Sequence, residues 1–287
     1  MPPLSEVKRL EIVTRGAVNT LLQGSYRSTF RGRGLEFHQV REYTAEDDVR
    51  SIDWNVTARL NAPFVKQFVE ERELHLVLAV DLSASLRHGS GPLSKRETAM
   101  RLCSALAFAA TRQQDRVGLM AFTDRVEYFL PPRKGRGAAM RVMRDLAGLK
   151  PVGRRTDYRP AFKMLTRALK RRSVLFLVSD FTDPVPMEDV AVLSRRHDLV
   201  AAVVKDPLEE LKEIPARLSV RDPESGGTAV LTRSSLKAVK RAAEAREAQL
   251  LEMTAKGADR LELTAGDDLL PHLMRFFRRR IERMGRR

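Results

Sequence analysis

The sequence predicts a three-layer α/β sandwich, with a mostly parallel sheet and one antiparallel edge strand, and three observations lead there. Short continuous apolar runs at residues 75–80 (HLVLAV), 174–178 (VLFLV) and 199–204 have the length and composition of strands buried on both faces. Helical segments alternate with these runs, as crossovers between parallel strands must. Two further strand-like runs, 117–122 and 126–130, are separated only by Thr123, Asp124 and Arg125, a gap that fits a hairpin and so an antiparallel edge.

Taken in order, residues 1–73 read as an appended region, rich in Gly, Arg, Glu and Asp with short β-like pieces such as 63–69. The sandwich is expected over 74–287. Its first strand ends at Asp81, and a Ser, Gly and Pro-rich stretch to Pro92 follows, so Asp81 is expected in a loop at the strand end. Ser94, Lys95, Arg96 and Glu97 have the form of a capping box, and 98–111 is apolar almost all round, which predicts a largely covered helix. The hairpin is expected to close at Pro131 and Pro132. Helices are expected over 137–149, 159–171 and 187–196, with the strand after 174 ending in a second acid, Asp180. A small hairpin insertion near 217–231, a charged helix over 234–256, a strand at 260–263 and a helix over 267–284 complete the chain, Asp267 lying near the positive end of that helix.

Composition narrows the function classes. With 287 residues and 43% hydrophobic content the chain can bury a large core. Glu6, Lys8, Arg9, Glu11 and Arg15 interrupt any apolar leader, and no later run reaches the roughly 18 apolar residues of a membrane span, so a cytoplasmic protein without a membrane span is expected. The single cysteine, Cys103, excludes an internal disulfide and reads as a core residue. Much of the net charge of +15 is scattered, but Arg275, Arg278, Arg279, Arg280, Arg283, Arg286 and Arg287, with Glu282 as the one acid among them, form a basic cluster at the end of a helix. Cations suit a helix C-terminus and keep a protein soluble, while an anionic partner stays open as an alternative. Aromatic residues are only 6% and none interleaves with these arginines, so nucleic acid is not the expected partner.

Candidate chemistry gathers where strand ends meet loops. Asp81, Ser83 and Ser85 place three oxygen side chains on alternate positions; a second loop carries Thr156 and Asp157; a third carries Asp180, with Thr182 and Asp183 behind it. These are hard oxygen donors of the kind Mg²⁺ or Mn²⁺ prefers. The competing reading is that such residues only cap helices and make turns.

Asp-x-Ser-x-Ser directly after an apolar strand resembles the metal-ion-dependent adhesion site of von Willebrand factor A-type domains. The resemblance implies Ser83, Ser85 and Thr156 as direct ligands, with Asp81 and Asp180 direct or through water. It also implies a cation that takes its last ligand from a carboxylate on a protein partner. Arg154 and Arg155 precede Thr156 where many relatives have glycines, and would oppose a cation unless they turn outward. Upstream, Arg33-Gly-Leu-Glu-Phe37, Arg41-Glu-Tyr43, Asp47-Asp-Val-Arg50, Ile52-Asp-Trp54, Ala58-Arg59 and Val65-Lys-Gln-Phe68 closely resemble a bacterial family known only as domain of unknown function fifty-eight. Members look like von Willebrand A-type proteins associated with MoxR-type AAA+ ATPases, which implies such an ATPase or its client as partner, in protein maturation or assembly. The charges of that block are expected to form a network of ion pairs clamping the N-terminal region onto the sheet, with an exposed docking surface for the ATPase as the alternative.

No Gly-x-Ser-x-Gly elbow is present, and residues 89–96 (GSGPLSKR) lack the glycine that precedes lysine in a Walker A loop. The five histidines are dispersed without ligand spacing. A non-enzymatic, metal-dependent protein-interaction module is therefore expected. The alternatives are a metal-dependent phosphoesterase using Asp81 and Asp180, which lacks an evident general base, and an anion-binding protein working through the basic C-terminal helix.

Overall fold

The structure, a computed structural model, describes residues 36–44, 47–60, 62–69, 74–210, 218–221, 228–231 and 236–285. These divide into a small unit within residues 30–73 and a large one from Leu74 onward.

In the small unit, β1 (Glu36–Glu42) pairs antiparallel with β2 (Phe64–Val69), and a short helix, α1 (Trp54–Leu60), lies between them in sequence. The Asp53 carboxylate accepts the backbone N–H of Asn55 at 3.0 Å and so starts α1. Arg41 pairs with Asp47 at 2.6 Å, and that contact holds the Asp47 carboxyl well below the usual carboxylate range. This pair joins two residues of the charged block within the small unit itself. The helix was not anticipated, because two turns are too short to carry a helical period.

The large unit holds a six-stranded sheet. Its strands are β3 (His75–Asp81), β4 (Arg116–Phe122), β5 (Val126–Lys134), β6 (Val174–Ser179), β7 (Asp198–Lys205) and β10 (Asp259–Thr264). They lie in the order β10-β7-β6-β3-β4-β5, all parallel except β5 against β4. The expected sandwich is what forms. Between β7 and β10, β8 (Leu218–Arg221) and β9 (Thr228–Leu231) pair antiparallel, while the expected turn at 224–227 lies outside the described residues.

Strands buried on both faces need apolar residues at every position, and β6 is buried throughout. On one face Val77, Ala79, Leu175 and Leu177 join Tyr158, Phe162, Val190, Leu193 and Leu250 in a continuous core. That face is covered by α4 (Tyr158–Ala168), α5 (Met187–Arg196) and α6 (Leu236–Ala255). The other is covered by α2 (Lys95–Arg112), α3 (Arg136–Gly148) and α7 (Leu269–Gly285). There Phe176 meets Phe276 edge-on, with ring centroids 6.3 Å apart.

Two boundaries differ from expectation. β5 continues through Pro131 and Pro132, because it is an edge strand and the ladder is interrupted opposite Gly118. A Cβ at Gly118 would stand 2.8 Å from the Leu130 carbonyl oxygen and 2.9 Å from the Pro132 nitrogen, so only glycine admits the proline pair. α4 ends at Ala168, three residues short of Arg171, where Leu169 turns extended and buries its side chain.

From β3 the chain winds outward to β4 and β5, then crosses to the other side of β3 to form β6, β7 and β10. The direction of winding thus reverses between β3 and β6. In an open parallel sheet such a reversal splays the following loops and opens a crevice at the strand C-termini. Asp81 and Asp180 stand at that place.

Candidate metal centre

Asp81 is the last residue of β3 and is fully buried, not looped out as the sequence suggested. One carboxylate oxygen, Oδ1, accepts the Ser83 N–H at 2.8 Å, which folds the chain back after the strand. The other, Oδ2, accepts the Ser179 hydroxyl at 2.7 Å and the Thr156 hydroxyl at 3.2 Å. The Ser83 and Ser85 hydroxyls lie 3.1 Å apart. Asp180 stands one residue beyond β6, and hydrogen bonds from Ser85 and Thr182 reach its carboxylate. All five residues expected at the site, Asp81, Ser83, Ser85, Thr156 and Asp180, are therefore joined in one hydrogen-bonded cluster at the switch point.

Backbone contacts tie the loop that carries Thr156 to the Ser83–Ser85 loop and to the turn after β4. Ala84 donates to the Arg154 carbonyl at 2.8 Å, and Asp157 donates to the Thr123 carbonyl at 3.1 Å. The Glu127 carboxylate accepts the N–H groups of Val152 and Gly153 and the Thr123 hydroxyl, pinning the start of the loop that carries Thr156. Asp157 caps α4 through the Arg159 N–H at 3.0 Å, so here the helix-capping reading is the one found. Arg154 and Arg155 are both exposed, so water screens their charges, although the Arg155 charge still reaches Asp183.

Behind the cluster, Ser179 gives its one hydroxyl proton to Asp81, so the buried Tyr158 hydroxyl, 2.9 Å away, donates to Ser179. This chain orients the Asp81 carboxylate from below. Burial first, and then the Asp180 charge, push the Asp81 carboxyl up to about 7.

The feature the sequence reading missed is Lys95. It is the first residue of α2, held there by the Ser94–Glu97 capping box, and it is buried with its Nζ 2.6 Å from Asp180 Oδ2 and 3.0 Å from Glu209 Oε1. Glu209 in turn pairs with Arg246 of α6. Burial alone would raise the Asp180 carboxyl, but the Lys95 charge and the hydrogen bonds from Lys95, Ser85 and Thr182 hold it below the usual carboxylate range. In the sequence Lys95 is only the second residue of the capping box, and nothing local marks it as buried.

Among the described residues no group of three or more His, Cys, Asp or Glu side chains is arranged to hold a metal. A cation here would therefore depend on hydroxyl as well as carboxylate ligands. The cluster supplies both, and oxygen only, which suits a hard divalent ion and not a soft one.

Solved structures similar to this chain include BatB of Bacteroides thetaiotaomicron (TM-score 0.51, 16% identity, 75% of this chain and 100% of that one). They also include an aerotolerance-related membrane protein of Bacteroides fragilis (TM-score 0.50, 17% identity, 74% and 100%). At such identity the likeness is one of fold. No helix among the described residues of this chain is long and apolar enough to cross a membrane. Uncharacterized proteins of Mycobacterium tuberculosis and Mycobacterium bovis are each 32% identical over 224 residues, covering 77% of this chain and 70% of theirs. The family model described as Protein of unknown function DUF58 matches residues 39–250, and the chain belongs to that family.

Proposed function

We propose that this protein is a non-enzymatic, cytoplasmic interaction module that holds Mg²⁺ or Mn²⁺ between Asp81, Ser83, Ser85, Thr156 and Asp180 and captures a carboxylate of a protein partner there. The observation that carries the proposal is the meeting of these five oxygen-bearing side chains, from three separate loops, at the one crevice the sheet topology opens. When bound, the ion supplies a Lewis-acidic coordination position that neutral hydroxyl ligands leave electrophilic. The chain's own contribution is positional. Ser179 and Tyr158 orient Asp81, the Glu127 anchor sets the Thr156 loop, and the Ser83–Ser85 turn brings two hydroxyls to one face. The partner proposed from the family resemblance is a MoxR-type AAA+ ATPase or its client, in protein maturation or assembly.

The test is calorimetric titration with Mg²⁺ and Mn²⁺. Because Asp81 is buried, Asp81→Asn preserves its shape and is a cleaner control than Asp81→Ala. Saturable binding by the natural chain that Asp81→Asn abolishes supports the proposal, as does partner capture that EDTA removes. Capture at full strength in EDTA overturns the metal bridge.

A further inference from the structure

We propose that Lys95 is a resident counter-cation of this site, whose ammonium group contests the Asp180 carboxylate with an incoming divalent ion and thereby sets how weakly that ion is held. The inference rests on the metal-site reading above. Its ground is the pairing of charges. Asp180 and Glu209 face Lys95 and Arg246, so these four groups balance without any added ion. The hydrogen bonds to Asp81, by contrast, come from neutral donors: the Ser83 N–H, Ser179 and Thr156. Lys95 occupies Oδ2 of Asp180 at 2.6 Å, and Thr182 donates to Oδ1 at 3.0 Å. An ion that coordinates Asp180 directly must therefore share its carboxylate with a buried ammonium, whereas one that keeps water in between must bind beside that ammonium. Either course weakens binding, and by more than at an exposed lysine, because Lys95 is buried and water screens its charge poorly.

Glu209 is the second half of the device. It shares the Lys95 ammonium and links it to Arg246 on α6, so its charge draws Lys95 away from Asp180. Removing either partner should therefore act in opposite directions. Lys95→Met should tighten Mn²⁺ binding by ~10-fold or more, and Glu209→Gln should weaken it by ~3-fold or more, as expected for one unit charge at short range in a partly screened site. In an Asp180→Asn background, where no carboxylate remains to contest, Lys95→Met should shift the affinity by less than ~3-fold, because the two effects act through one contact.

The experiment is Mn²⁺ calorimetry on the full chain and these variants, with Asp81→Asn as the site control. Wild-type binding that Lys95→Met leaves unchanged or weakens overturns the inference while the metal site stands. The same shift on Lys95→Met with and without Asp180 also overturns it, since a general field and not a contest would then be at work. Mn²⁺ binding by Lys95→Met alone, lost on Asp81→Asn, supports the inference and overturns the metal reading of the natural chain. No binding by any variant overturns both. Should Lys95→Met fail to fold, Glu209→Gln decides, and wild-type affinity there overturns the inference.

Discussion

Gly153 stands three residues before Thr156, and a methyl group at this position should dislodge the loop that carries the threonine. A Cβ at Gly153 would stand 2.2 Å from the Thr123 hydroxyl oxygen, 2.5 Å from Asp124 Oδ1 and 2.8 Å from the Thr123 Cβ. Non-bonded carbon and oxygen atoms separate to about 3.4 Å or more, so Gly153→Ala requires a displacement on the order of 1 Å. The Thr123 side chain has little freedom to yield, because its hydroxyl donates to Glu127 at 2.7 Å, and the same carboxylate holds the Gly153 N–H at 2.8 Å. Either the threonine leaves Glu127 or the loop leaves it. Overpacking of this kind costs about 1–3 kcal/mol, and losing a hydrogen bond to a charged acceptor adds about 1.5 kcal/mol, so a total near 3 kcal/mol is expected from urea unfolding. Thr123→Ala removes the nearest clashing atom, so Gly153→Ala should cost at least about 1 kcal/mol less in that background than alone. Mn²⁺ affinity should fall with the loop. A Gly153→Ala protein within about 0.5 kcal/mol of wild type, or a double variant whose losses simply add, would refute the pinning of this loop by Glu127 and Thr123.

Ser179→Ala removes a 2.7 Å hydrogen bond to Asp81 and leaves the buried Tyr158 hydroxyl without its acceptor. A loss of about 2–3 kcal/mol is expected, and adding Tyr158→Phe should restore about 1 kcal/mol of it by removing the orphaned hydroxyl; a double variant no more stable than the single one would argue against the relay. His197 is buried with both ring nitrogens unpartnered, and burial, with Arg196 and Arg172 nearby, lowers its pKa to about 4. The unfolded chain takes up that proton near pH 6.5, so this contribution to stability is complete above pH 6.5 and is lost as pH falls toward 4, at most about 3 kcal/mol. The difference in unfolding free energy between wild type and His197→Leu should change across that window, and parallel pH profiles for the two proteins would show that the imidazole is not held neutral.

Much of the sandwich was legible in the sequence because burial on both faces leaves a compositional mark that local order alone creates. HLVLAV and VLFLV can be little else than central strands, and Asp81 and Asp180 follow them directly. The Ser94–Glu97 capping box was likewise readable, since its two hydrogen bonds span three residues. The spacing of Asp81, Ser83 and Ser85 suggested a shared purpose, because alternate positions after a strand turn toward one crevice. What sequence order could not contain was the pairing of distant charges. Lys95 meets Asp180 across 85 positions, and Ser179 meets Asp81 across 98, only because β6 is laid beside β3 and not beside β4 or β5. Nothing local marks a lysine inside a capping motif as buried until the fold sets it against two carboxylates. An aspartate at a strand end reads as looped out until neighbouring strands close over it. The sequence by itself determined the layers and the oxygen-bearing residues at the strand ends, since both are local patterns of polarity; tertiary structure alone decided which charges those residues face, since strand order sets the distances on which electrostatic energies depend.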